Sequence, residues 1–144
     1  MKNISRIVRE AKSSPDGPYC PDAGDVVALD FSPQAGREQA GARPALVLSS
    51  RLYNERARLC MVCPITSTVR GGPFEVAVPA GIALPKGVGV IDGASEGELR
   101  GVILSDQAKS QSWQHRGCVM IGVVPASSLA EVRARAAAVM GYTE

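Results

Sequence analysis

The chain is short of the groups on which most hydrolases and redox proteins are built. It has one histidine, four cysteines and only 4% aromatic residues in 144. One histidine excludes a zinc helix of the H-E-x-x-H type, and no G-x-S-x-G, Walker A or G-x-G-x-x-G occurs. A histidine-based triad would need His115, in Trp113-Gln114-His115-Arg116-Gly117, which reads as a turn leading into the next strand. No run approaches the roughly 20 apolar residues of a membrane span. The basic N-terminus, Met1 to Glu10, lacks the apolar core of a signal peptide. The expectation is a soluble, cytoplasmic protein with no membrane partner. Its net charge of +2 permits a polyanion partner without arguing for one.

The cysteines are Cys20, Cys60, Cys63 and Cys118. Cys60 and Cys63 have C-x-x-C spacing, which suggests metal or redox work. They sit, however, in the apolar run Leu59-Cys60-Met61-Val62-Cys63-Pro64-Ile65, where alternation sends them to opposite faces of a strand. A redox pair belongs at a helix N-terminus instead. The thiols are therefore read as buried or incidental, and no metal or cofactor is expected.

What the chain does have is a hydrophobic fraction of 45%, enough for one real core. With so few aromatics, that core must be mainly Val, Leu, Ile and Ala. Short apolar runs broken by turn residues indicate a β frame: Val26 to Phe31, Ala45 to Leu48, Leu59 to Ile65, Phe74 to Val78, Val102 to Leu104 and Cys118 to Val124. Residues 1–18 differ. Ile4, Ile7 and Val8 have helical spacing, but Ser13-Ser14-Pro15-Asp16-Gly17-Pro18 stops any helix, so a mobile extension is expected before a domain at 19–144. A long glycine-rich passage lies between Pro79 and Gly101, with a weak strand at Val88 to Ile91.

The C-terminus reads as a helix. Ser128 and Glu131 have the form of a capping box. Leu129, Val132, Ala136, Val139 and Met140 share a face, Arg133 and Arg135 point elsewhere, and Gly141 is a stop. The predicted fold class is mainly β: a small SH3-like barrel of five to seven strands with a C-terminal helix and short connecting helices.

The residues left for chemistry stand at strand ends. Glu38 lies in the polar loop from Ser32 to Ala42, Arg43 opens a strand, and Thr66 closes one. Asp106 and Gln107 follow the strand Val102 to Leu104. Each has a bland explanation: Arg43 as an ion-pair partner, Thr66 as a turn cap, Glu38 as a solvated charge. Adjacent barrel strands could nevertheless bring these ends to one rim.

In combination they resemble the MazF/PemK toxin family. Gly24-Asp25 before an apolar strand, then Gly36-Arg37-Glu38-Gln39-Ala40-Gly41-Ala42-Arg43-Pro44, is similar to its signature G-x-E-Q-x-G-x-R-P. Pro64-Ile65-Thr66 is similar to its proline-any-threonine motif. Pro73-Phe74-Glu75-Val76, Ser105-Asp106-Gln107-Ala108-Lys109-Ser110 and Arg116-Gly117 are similar to later blocks, so the resemblance runs from about Tyr19 to Gly141.

The resemblance implies an SH3-like barrel that forms a homodimer. It implies a growth-regulating endoribonuclease that cuts single-stranded mRNA at a short sequence, without ribosome or metal. It also implies a cognate MazE-like antitoxin with an acidic disordered tail. The family's catalytic arginine falls on Arg43, its threonine on Thr66 and its loop glutamate on Glu38. Metal-free cleavage uses the neighbouring 2′-OH as nucleophile and gathers negative charge on the non-bridging phosphate oxygens. An arginine fork and a hydroxyl match that charge. Arg43 is often given the base role too, but arginine hardly ever deprotonates, so Glu38 is the better base.

Phe31 and Trp113 are candidate stacking platforms for bases. Gln39, Arg70, Lys86, Asp106, Gln107 and Lys109 are candidate RNA contacts. Two departures stand out. The passage from Pro79 to Gly101 is longer than in short family members. One branch also carries an Arg/His/Asp set, and here its arginine and histidine positions hold Leu104 and Arg37, so that set is not transferred. The alternatives weighed are a non-catalytic toxin on the same barrel that binds DNA gyrase, a plain SH3-like interaction module, and a C-x-x-C redox or zinc protein.

Overall fold

Both alternation phases of the first apolar run are filled. Val26 and Ala28 enter one cluster of buried residues, and Val27 and Leu29 enter another. A strand that is apolar on both sides must be covered on both. The computed structural model describes residues 19–31, 42–83 and 97–142. The expected extension at 1–18, Glu38, Gln39, Lys86 and the weak strand at Val88 to Ile91 lie outside these residues.

The elements in order are β1 (Asp25–Asp30), β2 (Ala42–Val47), α1 (Arg51–Ala57), β3 (Cys60–Thr66), β4 (Glu75–Ala77) and β5 (Val102–Leu104). A single 3-10 turn follows (Ser105–Gln107), then β6 (Lys109–Gln111), β7 (Val119–Val123) and α2 (Ala126–Val139). Every strand expected within the described residues is present, with ends shifted by up to three residues. All the pairings are antiparallel, in the order β4-β5-β3-β2-β1-β7, with β6 also on β3. β4 and β7 end the path and do not pair with each other among the described residues. The sheet is thus an open barrel.

β3 is the centre of the sheet. One edge meets β2, and the other meets β6 along Cys60–Val62 and β5 along Ile65–Thr66. Thr66 faces Val102 and Val62 faces Lys109, so four steps along β3 are matched by seven on the opposite edge. The three surplus residues are those of the 3-10 turn, which is extruded from the ladder. This bulge sets Asp106 and Gln107 outside the sheet beside the end of β3.

On one face of the sheet Val26, Leu46, Cys63, Ile65, Ile103 and Ile121 pack with Val132 of α2. On the other face Val27, Leu29, Ala45, Val47, Cys60 and Val62 pack with Trp113. Cys60 and Cys63 do lie on opposite faces, as alternation requires. Burial pushes both thiols up to about 12. Trp113 is 4% exposed and donates its indole N–H to the Asn54 carbonyl at 3.1 Å. It is a core residue, which corrects its reading as a stacking platform.

Asn54 is the polar hub that fixes α1. Fully buried, it donates to the carbonyls of Pro21 (2.8 Å) and Ser49 (3.1 Å) and accepts from the Ser49 hydroxyl (2.6 Å). Nearby, burial pushes the Asp25 carboxyl up, against the hydrogen bonds it accepts from the Tyr19 hydroxyl and the Asp22 amide.

The α2 start differs from the expected capping box. Pro125 holds the N-cap position with no side-chain cap, so Ser128 and Glu131 fall inside the helix. Glu131 pairs instead with Arg135 at 2.9 Å. The two arginines are not idle either. Arg133 donates to the Leu48 carbonyl and Arg135 to that of Pro73, clamping the helix to the sheet. The Gly141 stop is as expected: its N–H bonds Ala138, and the Tyr142 N–H bonds Ala137, the paired bonds of a Schellman end.

Candidate active site

Arg43 and Thr66 meet because of strand register. β2 and β3 pair Ala45 with Pro64 and Val47 with Val62. Continued by two residues, the same register sets Arg43 opposite Thr66. Both side chains fall on the face that carries Ala45, Val47 and Val62, but beyond its apolar cluster, where the strands run out towards solvent. Arg43 is exposed, and Thr66 is half-buried.

They line a common cavity of about 200 Å³ with Phe31, Pro64, Gln107 and Lys109. The Lys109 ammonium lies over the Phe31 ring, 5.2 Å from its centre, in cation–π contact. A second cavity of about 470 Å³ shares Thr66, Leu104 and Gln107 with the first. It continues past Arg70, Glu75 and Asp106. Thr66 therefore stands at the junction of one groove. Of the candidate residues, Phe31, Arg43, Thr66, Arg70, Asp106, Gln107 and Lys109 line it, and Trp113 does not. Glu38 and Gln39 lie outside the described residues.

Charge is unevenly spread along the groove. Among the described residues, the Arg43 end carries two cations, Arg43 and Lys109, and no carboxylate. The far end carries Arg70 with two carboxylates, Glu75 and Asp106. The Thr66 hydroxyl oxygen accepts the Thr68 amide at 3.1 Å. A hydroxyl that accepts from behind keeps its own proton to donate forward. The turn-cap and donor readings of Thr66 are thus compatible.

Three contributions to the site were not readable from the sequence. Gly101 has φ +123, and its backbone passes so close to the Thr66 carbonyl that a Cβ could not fit. Nothing in the string distinguishes it from the other glycines of its passage. The Lys109–Phe31 contact joins two candidates that sequence could only treat apart. Arg116 donates to the Asp30 carbonyl at 3.0 Å and receives the Asp30 amide on its own carbonyl at 3.0 Å. It thereby fixes the end of β1 where Phe31 enters the cavity. His115, exposed and bonded to the Ser112 hydroxyl, lies in the predicted turn and lines neither cavity. Among the described residues no three His, Cys, Asp or Glu side chains gather as metal ligands would.

The profile of a known family, PemK-like, MazF-like toxin of type II toxin-antitoxin system, matches residues 22–140. The chain belongs to the PemK/MazF toxin family. It is 37% identical to the endoribonuclease toxin MazF of Escherichia coli K12 over 123 residues, 85% of this chain and 96% of that toxin. Crystalline MazF from Deinococcus radiodurans is 42% identical over 86% of this chain and 99% of its own, with a TM-score of 0.63. A MazE–MazF complex from the same organism matches at 37% identity and a TM-score of 0.62, covering 87% of this chain and 99% of that one. These PemK/MazF relatives are named as endoribonucleases and support no gyrase-binding reading. The fold matched is that of the PemK/MazF barrel, with the open edge described above.

Proposed function

We propose that this PemK/MazF toxin is an endoribonuclease that cuts single-stranded mRNA at a short sequence, without ribosome or metal. The observation that carries the proposal is the convergence of Arg43 and Thr66 on one cavity at the junction of an open groove. The 2′-OH attacks the adjacent phosphorus, the bond to the 5′-oxygen breaks, and that oxygen takes a proton from water. The products are a 2′,3′-cyclic phosphate and a 5′-OH. Arg43 and the Thr66 hydroxyl donate to the non-bridging oxygens as charge builds there. Removing either donor lowers the rate by about 100- to 1000-fold. Glu38 takes the 2′-OH proton.

The strand runs from a cationic end, where Arg43 and Lys109 meet phosphates and Phe31 meets a base, to the end with Arg70, Asp106 and Gln107. Gln39 is a further base contact from the same loop as Glu38. The protein partners are a second copy of the chain, in a two-fold dimer, and an antitoxin with an acidic tail. The MazE–MazF complexes of relatives support the antitoxin, and the cations along the groove suit an acidic segment. The compartment is the cytoplasm.

End chemistry tests the reaction. The downstream fragments should accept a 5′ phosphate label from polynucleotide kinase without prior phosphatase treatment. Fragments that already carry a 5′ phosphate would contradict 2′-OH attack. A pH–rate profile of Glu38→Gln tests the base: full activity across the range would remove Glu38 from that role.

A further inference from the structure

The far end of the groove poses an electrostatic problem. Glu75 lines it, and an unmet carboxylate there would repel the phosphates of the proposed substrate. Its charge is met by backbone. Oε1 accepts the Arg70 amide at 3.2 Å and the Gly71 amide at 2.9 Å, and Oε2 also accepts from Arg70 at 3.1 Å. Two successive amides point at one carboxylate, and the chain then turns at Gly71, whose φ of +82 is a conformation that side chains disfavour, before it returns to Glu75. Charge-assisted bonds of this kind are among the stronger ones. The Arg70 side chain, by contrast, lines the cavity with no ion pair among the described residues. From behind, Arg135 holds Pro73 and the Ser105 amide holds the Phe74 carbonyl at 3.0 Å.

We propose that Glu75 is a positioning residue for RNA binding: by gathering the Arg70 and Gly71 amides it shapes the β3–β4 loop and presents Arg70 to a phosphate at the far end of the groove. The inference rests on the endoribonuclease reading. It separates two tasks, since Arg43 and Thr66 act on the reacting phosphate while Glu75 acts only through Arg70. Because Oε1 alone reaches both amides, a glutamine oxygen can replace it, and only the second contact of the Arg70 amide, the one to Oε2, is given up. Glu75→Gln keeps the loop and removes a negative charge from the groove.

The experiment compares wild type, E75A, E75Q, R70A and E75A/R70A on one RNA. Cleavage kinetics are read beside equilibrium binding to the same RNA blocked by 2′-O-methyl groups. Expected for E75A is a rise in KM and Kd of about 10-fold with kcat nearly unchanged. E75Q should bind clearly better than E75A, and E75A should add little on the R70A background. Should E75A fail to fold, Gly71→Ala strains the turn that returns the chain to Glu75, from a position with open space, and should raise KM in the same direction. Additive effects of E75A and R70A, an E75Q as poor as E75A, or a fall in kcat would overturn the proposal. Wild type that binds the blocked RNA but never cuts would instead refute the endoribonuclease reading and leave this inference to the binding series.

Discussion

Replacing Gly101 by alanine would push the new Cβ into the Thr66 backbone. The Cβ would lie 2.8 Å from the Thr66 carbonyl carbon and 3.0 Å from the Ser67 Cα, with the carbonyl oxygen nearer still. Ordinary contacts between such atoms begin near 3.5 Å, so β3 and β5 must part by about 1 Å at this point. The φ of +123 adds backbone strain. Together these should destabilise the fold by about 2–4 kcal/mol. The displaced segment carries the Thr66 hydroxyl, and a shift of about 1 Å at a catalytic group costs on the order of 100-fold in rate. The assay is single-turnover cleavage of a fluorogenic RNA at a temperature where circular dichroism shows the variant folded. Gly81→Ala is the control: it has φ +96 but nothing within 4 Å of its Cβ, so it should lose a little stability and no activity. If Gly101→Ala cut at the wild-type rate with unchanged melting, close packing would not be what positions Thr66.

Asn54→Ala would strand the Pro21 and Ser49 carbonyls and the Ser49 hydroxyl, and should cost about 2–4 kcal/mol in urea unfolding while leaving the groove residues in place. Stability should fall as pH rises above about 9. In the unfolded chain the cysteines ionise there, whereas burial holds Cys60 and Cys63 at about 12 in the fold, so the folded state keeps protons that the unfolded state has lost. The contribution is complete below the unfolded thiol pKa and is lost through about 12; Cys60→Ala with Cys63→Ala should flatten the alkaline limb of a melting-temperature profile. Lys109→Ala should weaken RNA binding broadly across sequences and lower the salt slope by about 0.7, the share of one phosphate on a single strand. An unchanged slope would leave Lys109 as a partner of Phe31 only.

The β frame was legible because its strands carry apolar residues at alternating or continuous positions, as in Val26 to Phe31 and Val102 to Leu104. β6 was missed because Lys109-Ser110-Gln111 has no apolar phase; β3 supplies the pairing. The place of α1 was hidden for a related reason: its only buried residue is Asn54, held by hydrogen bonds. The capping box failed because Pro125 starts the helix earlier than Ser128 would. Within the site, Arg43 and Thr66 were legible as motif residues, and register explains why motifs 23 positions apart converge. Gly101 and the Glu75 carboxylate act on backbone atoms, which no residue pattern displays.

The decisive experiment incubates the purified protein with a long defined RNA in EDTA, beside Arg43→Ala, and maps the ends by primer extension. Discrete cuts that share a short sequence and vanish with Arg43→Ala are expected. Intact RNA from folded wild type, or equal cutting by the variant, would contradict the proposed function.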